Sequence, residues 1–222
     1  MRFNSFISYN NFFSLLCLIT FILGIIPFIL YNKGEIVLSI NANIANSTLD
    51  FFFKHFTRLG HGSFFIFIIL IMSLFSYRHT ATLILIGVFI LATSFLLKHV
   101  IFSEAQRPIA YFSYETFVHL IPNYYYEAKY SFPSGHTMVA FGLMSFFASL
   151  SSKKILHIIF FLTAFSIAFS RMYLLKHFYA DVYVGFILGF LITQTSLYFS
   201  QKHFIGIDTK TGLIKTVAKK IL

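Results

Sequence analysis

SFPSGHTMVAFGLMSFFASL, residues 131–150, joins two unlike chemistries in one short stretch. A helix start needs a single capping side chain, yet Pro133, Ser134, Gly135 and His136 stand together at this one. From Ser134 to Leu150 there is no Asp, Glu, Lys or Arg. That run is long enough to cross a bilayer, which takes about 17–25 residues. Read as a span, it sets the fold as all-α and membrane-embedded, with the polar residues gathered at a helix end.

The rest of the chain agrees. Of its 222 residues 58% are hydrophobic and only 11% charged, with 32 Phe, against about 25% charged in a soluble domain. Apolar runs fall at residues 11–31, 62–77, 80–102, 134–150, 155–172 and 180–200. They predict a polytopic protein of six transmembrane helices, one integral membrane domain over residues 1–222 with a basic tail at 201–222. The first run lacks a small-residue cleavage site and reads as a retained anchor. Cys17 is the sole cysteine, so no disulfide or cysteine metal site forms within one chain.

Seventeen Lys and Arg face seven Asp and Glu. In a membrane protein such an excess reads as the positive-inside rule rather than nucleic-acid binding. With both termini in the cytoplasm, Arg78, Lys153, Lys154 and the tail lysines lie inside. Glu35, Asp50, Glu104, Glu115, Glu127 and Asp181 lie outside, leaving only Asp208 within. Two long connections then face outward. In the first, Leu49, Phe52, Phe53, Phe56 and Leu59 recur at helical spacing opposite Lys54, His55 and Arg58, predicting an interfacial amphipathic helix. The tail carries Leu213, Val217 and Ile221 on a similar stripe, suited to an anionic inner leaflet.

Ionisable groups at membrane depth cost roughly 2.5–3.5 kcal/mol each on insertion scales. Several collect here on one side. Lys98 closes the third run, with Arg107-Pro108 just beyond. His136 opens the fourth, Arg171 closes the fifth, and His177 and Asp181 open the sixth. Each has a plain alternative: a snorkelling lysine, arginine anchors at the interface, interfacial histidines, and Ser134 as a simple N-cap. Together they suit a dianionic tetrahedral group. Arginine matches phosphate geometry, helix-start N–H groups bind anions, and Gly135 admits close backbone approach. His177 and Asp181, four apart, are helical neighbours, so the carboxylate can fix one ring nitrogen and leave the other free. His136 can then serve as acid and base.

These residues resemble the type-2 phosphatidic acid phosphatase superfamily, whose pattern is K-x6-R-P, then P-S-G-H, then S-R-x5-H-x3-D. The second motif stands at residues 133–136 and the third, SRMYLLKHFYAD, at 170–181. The first departs: in KHVIFSEAQRP eight residues, not six, separate Lys98 from Arg107. On an unbroken helix that spacing would turn Arg107 away from Lys98. The resemblance covers roughly residues 60–200, with motifs over 98–181. It implies that His177 attacks phosphorus to form a phosphohistidine, Asp181 orients it, and His136 protonates the leaving alkoxide and then activates water. Lys98, Arg107, Arg171, Ser134 and Gly135 would hold the phosphate oxygens, at the periplasmic ends of helices 3–6. No metal and no cofactor are implied, and no compact carboxylate cluster for Mg²⁺ is visible in the sequence.

The overall likeness is greatest to bacterial lipid A phosphatases of the 4′-phosphatase type, in the inner membrane. Phosphatidylglycerophosphate and undecaprenyl pyrophosphate are alternative substrates. The expected partners are the bilayer and a phospholipid or lipid A, with no nucleic acid and no obligate protein partner. Tyr111, Tyr114, Tyr124, Tyr125, Tyr126 and Tyr130 admit two readings, a sugar-stacking surface or an interfacial aromatic belt. A serine hydrolase built on Ser134, His177 and Asp181 is disfavoured, because no G-x-S-x-G elbow is present. A non-hydrolytic lipid-phosphate binder and a phosphotransferase remain as other classes.

Overall fold

The structure, a computed structural model, describes residues 11–204, 211–214 and 216. Every regular element among them is helical. In chain order these are α1 (Asn11–Leu23), α2 (Ile26–Leu30), α3 (Glu35–Asn43), α4 (Ser47–Phe56), α5 (Gly62–Phe75), α6 (Tyr77–Phe95), α7 (Pro108–Tyr111), α8 (Gly135–Ser149), α9 (Lys154–Tyr173) and α10 (Tyr179–His203). The predicted tail stripe falls largely on Val217 and Ile221, outside the described residues.

Among the described residues, four stretches are long and apolar enough to cross a membrane: Phe12–Leu30, Tyr77–Ile101, Lys154–Tyr173 and Tyr179–His203. A fifth exists if Ser47–Gly60 and Gly62–Phe75 count as one span bent by 52°. Of the six predicted spans, the second is thus the 14-residue α5, continuous with the preceding helix through a bend. The fourth is α8, 15 residues long and so rising about 22 Å, less than the roughly 30 Å hydrocarbon core. Its polar start uses up the residues a full crossing would need.

That short helix is the centre of the bundle. Eleven of its residues are buried, and it is packed between α9 and α10 with α6 alongside. The seam with α10 is close because α10 carries Gly185 and Gly189, a small-residue pair four apart. A Cβ on Gly185 would stand 2.7 Å from the Ser134 carbonyl oxygen, and one on Gly189 would collide with the Met138 backbone. Further along, Thr193 Oγ1 donates to Gly142 O at 3.2 Å and Gln194 Nε2 to Ser145 Oγ at 2.8 Å.

The 47–60 segment turns most of its predicted apolar face to the bundle: Phe53 is buried and Leu49, Phe56 and Leu59 pack partly buried against the core, while Phe52 is 47% exposed. Asp50, Thr57 and Gly60 are buried beside them, and the two polar side chains find partners in the bundle. The Tyr173 hydroxyl donates to Asp50 Oδ1 at 2.7 Å, and Thr57 meets Arg171. Asp50 Oδ2 also lies 2.8 Å from His119 Nε2, and Asn41 Oδ1 accepts from the Val118 and His119 amides. This network fastens the loop carrying Val118 and His119 onto α3, α4 and α9.

Candidate active site

The chain leaves α9 through a tight turn that carries Leu175 at φ +55°. A non-glycine residue pays about 1–2 kcal/mol for that left-handed conformation. The turn folds His177 back against Arg171: the amides of Lys176 and His177 both donate to Arg171 O, at 2.9 and 3.1 Å. One turn into α10, Asp181 Oδ2 stands 3.4 Å from His177 Nδ1 and accepts the Phe178 amide at 2.9 Å. Both residues are buried, His177 to 2% exposure. The predicted neighbours at spacing four therefore meet.

The start of α8 locks onto the same place, since Ser134 N–H donates to Asp181 O at 2.9 Å. Ser134 is the N-cap by position, but its side chain caps no backbone group. Instead its Oγ accepts from Thr137 Oγ1 at 2.9 Å, which leaves its own proton to donate. A Cβ on Gly135 would meet only Ser94 Oγ at 3.6 Å and Lys98 Cε at 4.0 Å. Packing does not demand glycine there, and the gap lies beside Lys98. The His136 ring is 5.4 Å from that of His61, edge to face.

The irregular first motif is resolved by the backbone. After Phe95 the helix loosens into a π-helical turn, Leu96–Ile101, and then ends. Such turns cluster at functional sites. Lys98 and Arg107 consequently reach one strap, residues 127–131. Lys98 Nζ donates to Tyr130 O at 2.6 Å, and Arg107 Nε donates to Lys129 O at 2.9 Å. Arg107 N–H donates to Ala128 O, and Ser131 N–H to Ala105 O, at 2.8 and 3.0 Å. Arg107 Nη1 is also 3.2 Å from Glu127 Oε2 and 3.3 Å from Lys176 O.

Arg171 is 4% exposed. Its Nη1 donates to Thr57 Oγ1 at 2.8 Å, while Nε is buried with no partner among the described residues. A buried guanidinium N–H without an acceptor costs about 1–3 kcal/mol or more, which an incoming oxyanion would recover. All eight candidate residues thus belong to one end of the bundle. Among the described residues, no three His, Cys, Asp or Glu side chains converge as a metal-binding group.

Several contributors were not foreseen. Ser131 donates to Asp181 Oδ2 at 2.5 Å. It stands in the opening stretch, two residues before the motif, and its only signal was position. Lys176 precedes His177 and is 5% exposed. Its ammonium donates to Glu127 Oε2 and Tyr125 O, both at 2.5 Å, and lies 4.6 Å over the Tyr124 ring and 5.9 Å over Tyr126. With Tyr125 at 5.7 Å, three of the loop tyrosines therefore cage a lysine. Burial works against the Glu127 carboxylate, but Lys176 and Arg107 hold it below its ordinary range.

His177 lies between the spanning helices. Burial first, then the charges of Arg107, Arg171 and Lys98, hold its pKa well below 6.5. A lowered pKa keeps the ring neutral further into acid. The limb of kcat/KM that rises as this group loses its proton should accordingly have its midpoint below pH 6.5. A pH profile of kcat/KM checks this, and a midpoint at or above that value would contradict it.

Comparison with known proteins places the chain in a family. Residues 82–205 match the PAP2 superfamily. Phosphatidylglycerophosphatase B of Bacillus subtilis (strain 168) is 34% identical over 149 residues, covering 61% of this chain and 68% of that protein. The crystal structure of Aquifex aeolicus LpxE superposes with a TM-score of 0.65 at 30% identity, over 75% of this chain and 94% of that one. A PAP2-type phosphatidylglycerolphosphate phosphatase from Bacillus subtilis shares the fold, with a TM-score of 0.54 at 24% identity over 88% of this chain and 97% of that one. The match spans more than half of the chain and includes the P-S-G-H turn and the His177–Asp181 helix start, so this protein belongs to the PAP2 superfamily.

Proposed function

We propose that this PAP2 membrane phosphatase hydrolyses a phosphate monoester on a lipid, through a phosphohistidine at His177. The observation that carries the reading is the meeting of the His177–Asp181 pair with Arg107, Arg171, Lys98 and His136 at one end of the bundle, with Arg171 Nε left unpartnered. His177 attacks phosphorus with its free nitrogen, and Asp181 balances the charge that develops on the ring. Arg107, Arg171, Lys98, Ser134 and the Gly135 backbone hold the oxygens. His136 gives its proton to the departing alkoxide and recovers one from the attacking water. No metal takes part in this scheme.

The substrate is lipid A, read here at its 4′-phosphate, or phosphatidylglycerophosphate; the relatives support a lipid A phosphatase and a phosphatidylglycerophosphatase alike and do not select the phosphate position. The membrane is the bacterial inner membrane, with both termini cytoplasmic and the site periplasmic. Basic Arg78, which shares a cleft with Leu150 and Ser200 at the end of the bundle remote from the site, supports that orientation. The test is phosphate release in EDTA by purified protein offered lipid A, phosphatidylglycerophosphate or undecaprenyl pyrophosphate. Release from one of them, lost in His177→Ala, supports hydrolysis and names the lipid. Phosphate appearing on a second lipid would indicate transfer, and no reaction at all would indicate binding.

The lipid part has a suitable channel. A groove of about 450 Å³ between α5 and α6 is lined by His61, Gly62, Phe65, Val88, Leu91 and His136. The leaving oxygen must lie at His136, so hydrocarbon attached near it runs along these apolar walls. A Cβ on Gly62 would meet nothing within 4 Å, so a side chain can be started there at the groove's edge, and Gly62→Phe is expected to obstruct it. If it displaces about three methylenes at about 0.8 kcal/mol each, kcat/KM for lipid falls roughly 50-fold. Release from p-nitrophenyl phosphate, which has no chain, should stay unchanged; parallel losses on both substrates would remove the groove from the reading.

A further inference from the structure

Around Asp181 three groups compete for one oxygen. Oδ2 accepts the Ser131 hydroxyl at 2.5 Å and the Phe178 amide at 2.9 Å, and stands 3.4 Å from His177 Nδ1. Ser131 Oγ is itself 3.5 Å from that same nitrogen. The serine is 1% exposed, and its backbone is fixed by the bond from its amide to Ala105 O at 3.0 Å. It lies outside the P-S-G-H motif.

We propose that Ser131 is a positioning residue for the nucleophile, making the His177–Asp181 pair a three-membered unit; this rests on the phosphohistidine reading. Hydroxyl chemistry supplies the reason. A serine has one proton to donate, and the shortest contact commits it to Asp181. Towards His177 the hydroxyl can then present only lone pairs. Both oxygens facing Nδ1 are acceptors, so the proton of the neutral ring resides on Nδ1. Nε2 is left with the lone pair that attacks phosphorus. When the new N–P bond forms and the P–O bond to the alkyl group breaks, the leaving oxygen takes the His136 proton. The Nδ1 proton stays in place, and the ring's new positive charge faces Asp181.

Ser131 also holds the carboxylate still. A charged hydrogen bond of this length is stronger than a neutral one. Without it, Oδ2 keeps one backbone donor, and the aspartate can turn away from a ring it meets only at 3.4 Å. The serine joins the strap that binds Lys98 and Arg107 to the helix start that bears Asp181. Thus the attacking nitrogen and the phosphate ligands are set by one piece of backbone.

The experiment compares Ser131→Ala, Ser131→Thr and Ser131→Cys with the parent protein, reading steady-state kinetics and the rate of ³²P incorporation on rapid mixing. Loss of such supporting partners typically costs about 10- to 100-fold. We expect Ser131→Ala to lose that much in kcat and in phosphoenzyme formation, with KM changed less than about twofold. Threonine, which retains the hydroxyl, should recover most of the loss. Cysteine, nearly the size of serine but a weak donor, should not, and it decides the matter if the alanine variant fails to fold. Phosphoenzyme formation at the parent rate in the alanine or cysteine variant would overturn the proposal. So would a rise in KM at constant kcat. A parent protein that releases phosphate without ever taking up ³²P would instead overturn the phosphohistidine reading itself.

Discussion

His177→Ala should abolish turnover, lowering kcat by about 10⁴-fold or more, as loss of an attacking residue does elsewhere. The ring is buried against Asp181 and Ser131, while the residue's amide is tied to Arg171 O. The backbone bonds that shape the turn, from the amides of Lys176 and His177 to Arg171 O, survive the substitution. The variant should therefore fold and still bind lipid phosphate. Purified protein mixed with ³²P-labelled substrate checks both halves: binding persists, while acid-quenched protein carries no label. Residual activity above about one part in a hundred would mean that another group attacks phosphorus.

His136→Ala should produce a more informative defect. With an alkyl phosphate the leaving oxygen is a poor anion, and loss of its proton donor costs about 10²- to 10⁴-fold. With p-nitrophenyl phosphate the leaving group needs no proton, so the first step should proceed at close to the parent rate. The second step still lacks its base. The variant should then release about one equivalent of nitrophenolate per enzyme and stall as the phosphorylated protein. A burst followed by a flat trace, with label retained on His177, is the expected result. Steady turnover of both substrates at equal, reduced rates would assign His136 to phosphate binding instead.

The membrane character of the fold was legible because apolarity over some twenty residues has no soluble explanation. Candidate site residues were legible because charges at span ends are costly unless used. The run read at 134–150 returns as α8, Gly135–Ser149, but its place between α9 and α10 was not legible. The burial of two polar residues in the 47–60 segment was not legible either. Asp50 and Thr57 are polar, and their partners, Tyr173 and Arg171, lie more than a hundred residues away. No local pattern encodes such a pairing. The same holds for the strap: what Lys129 and Tyr130 contribute are backbone carbonyls, which any sequence possesses. Conversely, the eight-residue gap between Lys98 and Arg107 looked disruptive because a regular helix was assumed, and the π-helical turn with the helix end beyond it removes the difficulty.

The glycine seam between α8 and α10 has a mechanical consequence. Gly185 and Gly189 meet Ser134, Thr137 and Met138, all within the first turns of α8. Those helices therefore meet backbone to backbone beside the reacting groups, and the bonds from Thr193 to Gly142 and from Gln194 to Ser145 join them further along. Bilayers of different thickness make spanning helices re-tilt. A pair fastened along such a seam answers a tilt as one body. The distances among Ser134, Asp181 and His177 change least, and the chemistry is insulated from the host membrane's thickness.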